Sequence, residues 1–207
     1  MLFPENVFAA KKTELTKESK VIIISDSYSV KPKKARRWPY YVEKFLNTGQ
    51  GQVILSAKIG SGFTKKGRFN FTKRLKKMNP DQNVRMVIVL GGVRNDLRSS
   101  KKKLYRQMKR FSSTVKRKFP NAGIYYGIPN YEVKKERIRE RLLKRKRILK
   151  KYCRKLGWKY LRYTEKCLYK RKKNFSKDGH HLSKKGQKIV GKSVIKDLKR
   201  YGVVPVQ

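Results

Sequence analysis

Both histidines of the chain lie in one short segment near its C-terminal end, Asp178-Gly179-His180-His181. An aspartate three positions before a histidine can fix the tautomer of the imidazole ring and leave its other nitrogen free to accept a proton. Ser27 follows closely after an apolar run, residues 21–24, near the N-terminal end. These segments predict nucleophilic chemistry in which Ser27 attacks, His181 takes its proton and Asp178 orients the histidine. His180 is interpreted as a neighbour without a catalytic role.

Five short apolar runs predict the strands that position these residues. They are residues 20–25, 52–57, 84–90, 123–127 and 158–163. Most of the runs are continuous rather than alternating, as is typical of strands that are buried on both faces of a parallel sheet.

Helical patterns lie between the runs. They are centred on residues 39–46, 71–78, 104–115, 132–156 and 182–201. The alternation of strands and helices predicts a three-layer α/β/α sandwich with a mostly parallel five-stranded sheet and right-handed crossovers. Residues 1–19 are interpreted as a polar lead-in, and residues 20–207 as one domain.

Polar residues and glycines follow the first three predicted strands. Reactive groups in open parallel sheets collect beyond the carboxyl ends of the strands, so these segments are expected to meet at one edge. The first strand ends at Ser25-Asp26-Ser27, the second leads into Gly60-Ser61-Gly62, and the third leads into Gly91-Gly92-Val93-Arg94-Asn95-Asp96. A glycine N–H and an asparagine side chain are both suitable donors to the oxyanion of a tetrahedral intermediate.

In this order and spacing, the four segments resemble the sequence blocks of the SGNH (GDSL-type) hydrolases, which contribute Ser, Gly, Asn and His. The resemblance covers the chain from Lys20 to Tyr201. It implies a flavodoxin-like α/β/α fold and a serine-dependent carboxylic ester hydrolase that needs no cofactor. The implied substrate is a carbohydrate or glycolipid that carries acetyl or another short acyl group.

The resemblance also implies the roles of single residues. Ser27 attacks the ester carbonyl, and His181 is the general base with Asp178 as its partner. The backbone N–H groups of Ser27 and Gly60 and the side chain of Asn95 form the oxyanion hole. Gly62 is the alternative to Gly60, which is favoured because it directly follows the second apolar run.

The chain departs from the family pattern at two places. Ser25 stands where the family usually has glycine, and Val93-Arg94 precede Asn95-Asp96 as an apparent insertion. Each block also has a purely structural interpretation, because serine and asparagine cap helices and glycine permits tight turns. The presence of all four blocks in register favours catalysis.

The charge of the chain is extreme, with 58 Lys+Arg against 13 Asp+Glu and a formal net charge of +45. Such a charge predicts attraction to polyanions such as wall polymer, anionic lipid or nucleic acid, and its self-repulsion favours a monomer. The alternative function is therefore a catalytically idle SGNH-like fold that serves as a basic polyanion- or nucleic-acid-binding module. A nucleic-acid-binding α/β protein is a further alternative, although no known base-reading motif is visible.

The remaining sequence features exclude several classes of site. Cys153 and Cys167 are expected to be small core residues, and a disulfide between them is the alternative. No cysteine–histidine cluster has the spacing of a metal site. No apolar run has the length of a membrane span, and the first 20 residues contain no signal-peptide core.

A secreted or cell-surface location is favoured over a cytoplasmic one.

Overall fold

The computed structural model describes residues 12–30, 36–49, 51–169 and 171–207. The helices are α1 (Trp38–Leu46), α2 (Phe71–Lys76), α3 (Lys101–Lys118), α4 (Glu136–Lys155), α5 (Arg162–Lys166) and α6 (Lys184–Arg200). The strands are β1 (Thr13–Glu14), β2 (Lys20–Ser25), β3 (Val53–Ala57), β4 (Val84–Leu90), β5 (Gly123–Gly127), β6 (Lys159–Tyr160) and β7 (Val203–Val204). Residues 1–11 of the predicted lead-in lie outside the described residues.

Five of the strands form one parallel sheet in the order β3-β2-β4-β5-β6. Side chains of β2 alternate between its two faces, because Ile22 and Ile24 enter one apolar cluster and Val21 and Ile23 enter the other. Helices α2, α3 and α4 pack on the first face, and α1 and α6 pack on the second. The predicted three-layer α/β/α sandwich is confirmed.

The fifth strand is much shorter than its apolar run predicts, because β6 ends at Tyr160 and α5 begins at Arg162. The side chain of Asp197 in α6 explains the change. Its buried carboxylate accepts the backbone N–H groups of Tyr163 and Thr164 at 3.1 and 2.8 Å, and the Thr164 hydroxyl at 2.9 Å. The first N–H groups of a helix have no partner within the helix, so a carboxylate from a distant element stabilises this start.

Some residues before Lys20 also take part in the fold. The strands β1 and β7 form a parallel two-stranded sheet, in which Thr13 pairs with Val203. The next residue of the chain, Leu15, is buried and packs in the second apolar cluster. Two residues are too few to show a strand period, and their partner lies at the other end of the chain. Residues 13–15 of the predicted lead-in therefore pair and pack with the rest of the chain.

Lys146 in α4 is an unusual buried cation. Its side chain is 2% exposed, and its ammonium nitrogen has no hydrogen-bond partner within the described residues. Burial lowers the pKa of Lys146 from 10.5 to about 8, although the nearby Glu165 and Cys167 act in the opposite direction. Below pH 8 the side chain is therefore protonated in the folded and the unfolded chain, and the folded state is destabilised by a charge in an apolar environment.

We expect Lys146→Met to raise the free energy of unfolding at pH 7 by about 3 kcal/mol, because the pKa difference corresponds to a cost of this order. The gain should shrink as the pH rises from about 8 to 10.5, where the folded protein has lost the proton and the unfolded chain has not. Urea unfolding at pH 7 and pH 10 measures both effects. Lys144→Met, at an exposed position of the same helix, is the control and should change stability by less than about 0.5 kcal/mol. A Lys146→Met protein less stable than wild type at pH 7 would contradict this expectation.

The two cysteines are both free thiols, so the alternative of a disulfide is not adopted. Cys153 is buried in the first apolar cluster, and burial raises the pKa of Cys167 to about 11. None of the helices in the described ranges combines the length and the apolarity needed to cross a membrane.

Candidate active site

Ser27 lies at the carboxyl end of β2, at the start of a single 3₁₀ turn formed by residues 27–29. Asp26 caps this turn, because its carboxylate accepts the backbone N–H of Tyr28 at 3.0 Å. Ser27 itself is 6% exposed, and its hydroxyl forms no hydrogen bond within the described residues. The turn therefore presents a serine side chain that no hydrogen bond from the described residues holds in place.

The Asp26 carboxylate connects the serine turn to the third block. It accepts the backbone N–H of Gly92 at 2.7 Å, and the Asn95 side-chain nitrogen approaches the same oxygen at 3.4 Å. Burial raises the pKa of Asp26 to about 6, while the hydrogen bonds from Gly92 and Tyr28 and the charge of His181 lower it. A side chain at Gly91 would meet the carboxylate at 2.5 Å, and the φ of Gly91 is +104°, so glycine is required there.

A half-buried arginine also holds this strand end. The Arg74 guanidinium in α2 donates to the carbonyl oxygen of Ser25 at 2.9 Å. Burial lowers the pKa of Arg74 to about 10, and the neighbouring Asp26 carboxyl opposes this effect. The Ser25 hydroxyl donates to the carbonyl of Leu90 in β4 at 2.7 Å. The family's glycine position is thus occupied by a serine whose side chain is tied to the next strand.

His181 and Asp178 form a hydrogen-bonded pair. The Nδ1 atom of His181 lies 2.6 Å from one carboxylate oxygen of Asp178. The other oxygen accepts the backbone N–H groups of His180 and His181, each at 2.8 Å, and the Ser176 hydroxyl at 2.9 Å. Burial acts to raise the pKa of Asp178, but these hydrogen bonds outweigh it and hold the pKa well below its usual range. An ionised Asp178 therefore binds Nδ1 and leaves Nε2 of His181 available as a base.

His180 joins this loop to the serine turn. Its carbonyl oxygen accepts the Tyr28 hydroxyl at 3.0 Å, and the two rings meet edge to face with their centroids 5.5 Å apart. Burial lowers the pKa of His180 to about 3, and the positive charges of Arg94 and His181 act in the same direction. His180 is therefore neutral at ordinary pH, and its contacts bring the residues next to Ser27 and His181 together.

The hydroxyl of Ser27 and the ring of His181 are not hydrogen-bonded to each other within the described residues. Catalytic hydrogen bonds are often long in enzymes without substrate, so this geometry is compatible with a triad. The side chain of His181 is 18% exposed, so its ring can be reached from solvent.

The two candidate glycines differ in what their N–H groups do. The Gly62 N–H donates to the carbonyl of Phe69 at 3.0 Å, whereas the Gly60 N–H makes no hydrogen bond within the described residues. The φ of Gly60 is +77°, a conformation that favours glycine. This geometry favours Gly60 as the donor that remains available to a ligand.

Asn95 lies among the strand ends as the sequence predicts, with its side-chain nitrogen 2.7 Å from the carbonyl oxygen of Ser61. The contact of the same nitrogen with Asp26 is long for a hydrogen bond, so one of its two N–H groups is weakly held. The next residue, Asp96, is buried and accepts the backbone N–H groups of Phe63 and Thr64. Asn95 is therefore placed between the glycine block and the serine turn.

Sequence reasoning did not identify two long-range supports of the site. Gln187 in α6 donates to the carbonyl of Tyr28 at 2.9 Å, and its side-chain oxygen accepts the backbone N–H of Trp38 at 2.8 Å. Arg94, in the apparent insertion, forms an ion pair with Glu132, which is 1% exposed. Both sets of partners are far apart in the chain, and no local pattern signals them.

No protein-family model matches the chain, and no curated protein matches it either. Solved structures do match it over most of its length. A GDSL-like lipase candidate from Parabacteroides merdae has a TM-score of 0.71 at 12% identity, and covers 91% of this chain and 99% of its own. The chain has the SGNH hydrolase fold.

Two further SGNH-fold structures are similar to this chain. A member of the lipolytic G-D-S-L family from Veillonella parvula has a TM-score of 0.66 at 12% identity, and covers 88% of this chain and 99% of its own. A catalytic mutant of an acetylxylan esterase from Geobacillus stearothermophilus has a TM-score of 0.67 at 14% identity, with coverages of 91% and 96%. At these identities the likeness shows a shared fold.

Proposed function

We propose that the protein is a serine-dependent carboxylic ester hydrolase that removes acetyl or other short acyl groups from a carbohydrate or glycolipid. One observation carries the proposal. The Asp178–His181 pair is joined to the turn that bears Ser27 through the contacts of His180 with Tyr28. An idle binding module would not require a histidine whose tautomer is set by an ionised carboxylate, on a loop that contacts the turn of Ser27, so that alternative is less well supported.

In the proposed mechanism, Ser27 Oγ attacks the ester carbonyl carbon while Nε2 of His181 takes the hydroxyl proton. The negative charge on the carbonyl oxygen is stabilised by the N–H groups of Ser27 and Gly60 and by the Asn95 side chain. His181 then passes the proton to the departing alcohol, and an acyl-enzyme remains on Ser27. A water molecule, deprotonated by His181, releases the carboxylic acid by the reverse sequence.

The acyl group and its carrier are proposed from the fold neighbours. One of these neighbours is an acetylxylan esterase, and others are lipase-like proteins of the G-D-S-L type. The position of Ser27 supports a small acyl group, because the residue is only 6% exposed and lies in a turn between buried residues.

Serine-directed labelling tests the proposal without any substitution. The wild-type protein is incubated with a fluorophosphonate and digested, and the modified peptide is identified by mass spectrometry. Hydrolysis of aryl esters with acyl chains of two to eight carbons is measured in parallel, in salt. A phosphonate adduct on Ser27 and hydrolysis that is fastest for acetate are expected. Labelling at another serine, or no labelling and no hydrolysis, would count against the proposal.

The oxyanion hole can be tested at Asn95. Asn95→Ala is expected to lower kcat for aryl acetate by roughly 10²–10³-fold with little change in KM, because the lost donor acts mainly in the transition state. Asn121→Ala is the control, since its side chain also donates to a backbone carbonyl but lies on an exposed part of the surface. A wild-type kcat in Asn95→Ala would show that Asn95 is not part of the oxyanion hole.

A further inference from the structure

A strongly basic groove of about 940 Å³ lies between α2 and α3, and we call it the α2–α3 groove. Nine of its lining residues are lysine or arginine: four come from residues 65–76 and five from α3. The stretch of α3 that lines the groove, from Lys103 to Arg117, extends for roughly 21 Å at the rise of an α-helix. The groove is thus long enough to hold several units of a polymer.

The cations of the groove form no ion pair with any of the described residues. None of the nine takes part in the five ion pairs found among the described residues, and no acidic residue lines the groove. Like charges on two facing helices repel each other, and the repulsion is relieved when an anion enters between them. A groove of this kind is therefore complementary to a chain of negative charges.

The other lining residues indicate what kind of polyanion fits. The groove contains hydroxyl and amide side chains, and the Thr72 hydroxyl has no hydrogen-bond partner in the part of the chain that the structure describes, although the residue is 5% exposed. None of the lining residues in the described ranges is aromatic. Single-stranded nucleic acid is usually held by aromatic side chains that stack on its bases. In a charged polysaccharide, by contrast, the sugar hydroxyls can bond to the hydroxyl and amide side chains of the groove, and the anionic groups can pair with its cations.

The groove begins next to the candidate active site. Thr64 lines one end of it, and both its backbone N–H and its hydroxyl donate to Asp96, the neighbour of Asn95. The helix α2 that forms one wall is held to the strand end before Ser27, because Arg74 donates to the carbonyl of Ser25. A polymer lying in the groove would therefore pass close to residues that contact the neighbours of Asn95 and Ser27.

We propose that the α2–α3 groove binds an anionic polysaccharide, charged through phosphate or carboxylate groups, and that sugars of this same chain carry the ester that Ser27 cleaves. The second part rests on the proposed function, and the first part does not. The groove determines how tightly the polymer binds, whereas the triad cleaves the ester bond. This division allows the two parts to be tested separately.

The binding test compares two variants that lose the same number of charges. The groove variant carries Lys73→Gln, Lys76→Gln and Arg110→Gln, all at exposed positions of the groove walls. The matched control carries Arg141→Gln, Lys144→Gln and Lys155→Gln, which are exposed in α4 and do not line the groove. Fluorescence anisotropy at about 50 mM salt follows binding to labelled polygalacturonate, poly(glycerol phosphate), dextran and a single-stranded oligonucleotide.

We expect wild type and control to bind at least one of the two anionic polymers, and the groove variant to bind it about tenfold or more weakly than the control does. Preference between carboxylated and phosphorylated polymer identifies the anionic group. Equal losses in the two variants would overturn the proposal, since the charge would then act over the whole surface. Tighter binding of the oligonucleotide than of either polymer would overturn it in favour of nucleic acid.

The kinetic test uses acetylated polygalacturonate and an aryl acetate. If the bound chain is the substrate, the ratio of kcat/KM for the polymer to kcat/KM for the aryl acetate falls about tenfold in the groove variant and stays constant in the control. An unchanged ratio together with hydrolysis of both esters would overturn the groove's role and leave the proposed function standing. Polymer binding through the groove without hydrolysis of either ester would overturn the proposed function and the claim that the bound polymer is a substrate.

Discussion

Ser27→Ala is expected to lower kcat for an aryl acetate by roughly 10⁴–10⁶-fold, because no acyl-enzyme can form without the serine oxygen. The stability of the protein should be almost unchanged, since the Ser27 hydroxyl makes no hydrogen bond within the described residues. Initial rates with aryl acetate and the midpoint of thermal unfolding measure the two effects.

The matched control lies two residues away in the same turn. The Ser29 hydroxyl accepts the indole N–H of Trp38 at 2.6 Å, and both residues are buried. Ser29→Ala should therefore lower the free energy of unfolding by about 1–3 kcal/mol, because it leaves a buried donor unpaired, while hydrolysis continues. Activity that survives Ser27→Ala and is lost in Ser29→Ala would show that the nucleophile is wrongly assigned.

The second large effect is expected at the two histidines, which are neighbours in the chain and differ in their surroundings. His181→Ala should lower kcat by roughly 10⁴–10⁶-fold, and Asp178→Asn by about 10⁴-fold, because an amide cannot hold the ring in the required tautomer. Hydrogen bonds outweigh burial and hold the pKa of Asp178 well below its usual range, so its carboxylate stays charged in mild acid. The Asp178→Asn defect should therefore persist at mildly acidic pH.

His180→Phe is the control for this experiment. A phenylalanine ring can keep the edge-to-face contact with Tyr28, and the carbonyl that accepts the Tyr28 hydroxyl belongs to the backbone. Since His180 is neutral and only half-buried, kcat should fall by less than about tenfold. A reversed result, with a large loss in His180→Phe and a small one in His181→Ala, would exchange the roles of the two histidines.

The sheet could be predicted from the sequence because its strands are continuous apolar runs with both faces buried. The strand β4, for example, has the bounds that its apolar run predicts. The strand β6 was predicted too long, because a carboxylate from α6 starts a helix where the apolar run continues. Such a contact between distant residues has no local sequence signal.

In the candidate site, too, contacts between residues close in the chain could be predicted and contacts between distant residues could not. Asp178 and His181 are close in the chain, so their spacing predicts the hydrogen-bonded pair that the structure contains. The contacts that join this pair to the serine turn link residues far apart in the chain. Tyr28 contacts His180 and Gln187, which lie 152 and 159 residues further along. Their role depends on how α6 packs against the turn, and a single sequence carries no record of that packing.

The edge strand β3 has a consequence for how the protein behaves in concentrated solution. Ile54 and Leu55 are 38% and 42% exposed on its two faces, and Ile59 beyond the strand is 45% exposed. An uncovered apolar edge invites pairing between molecules, and natural proteins often guard such edges with charge. Here the net charge of +45 keeps the molecules apart at long range. Added salt shortens that range to about 3 Å at 1 M, so concentrated salt should promote self-association rather than colloidal stability.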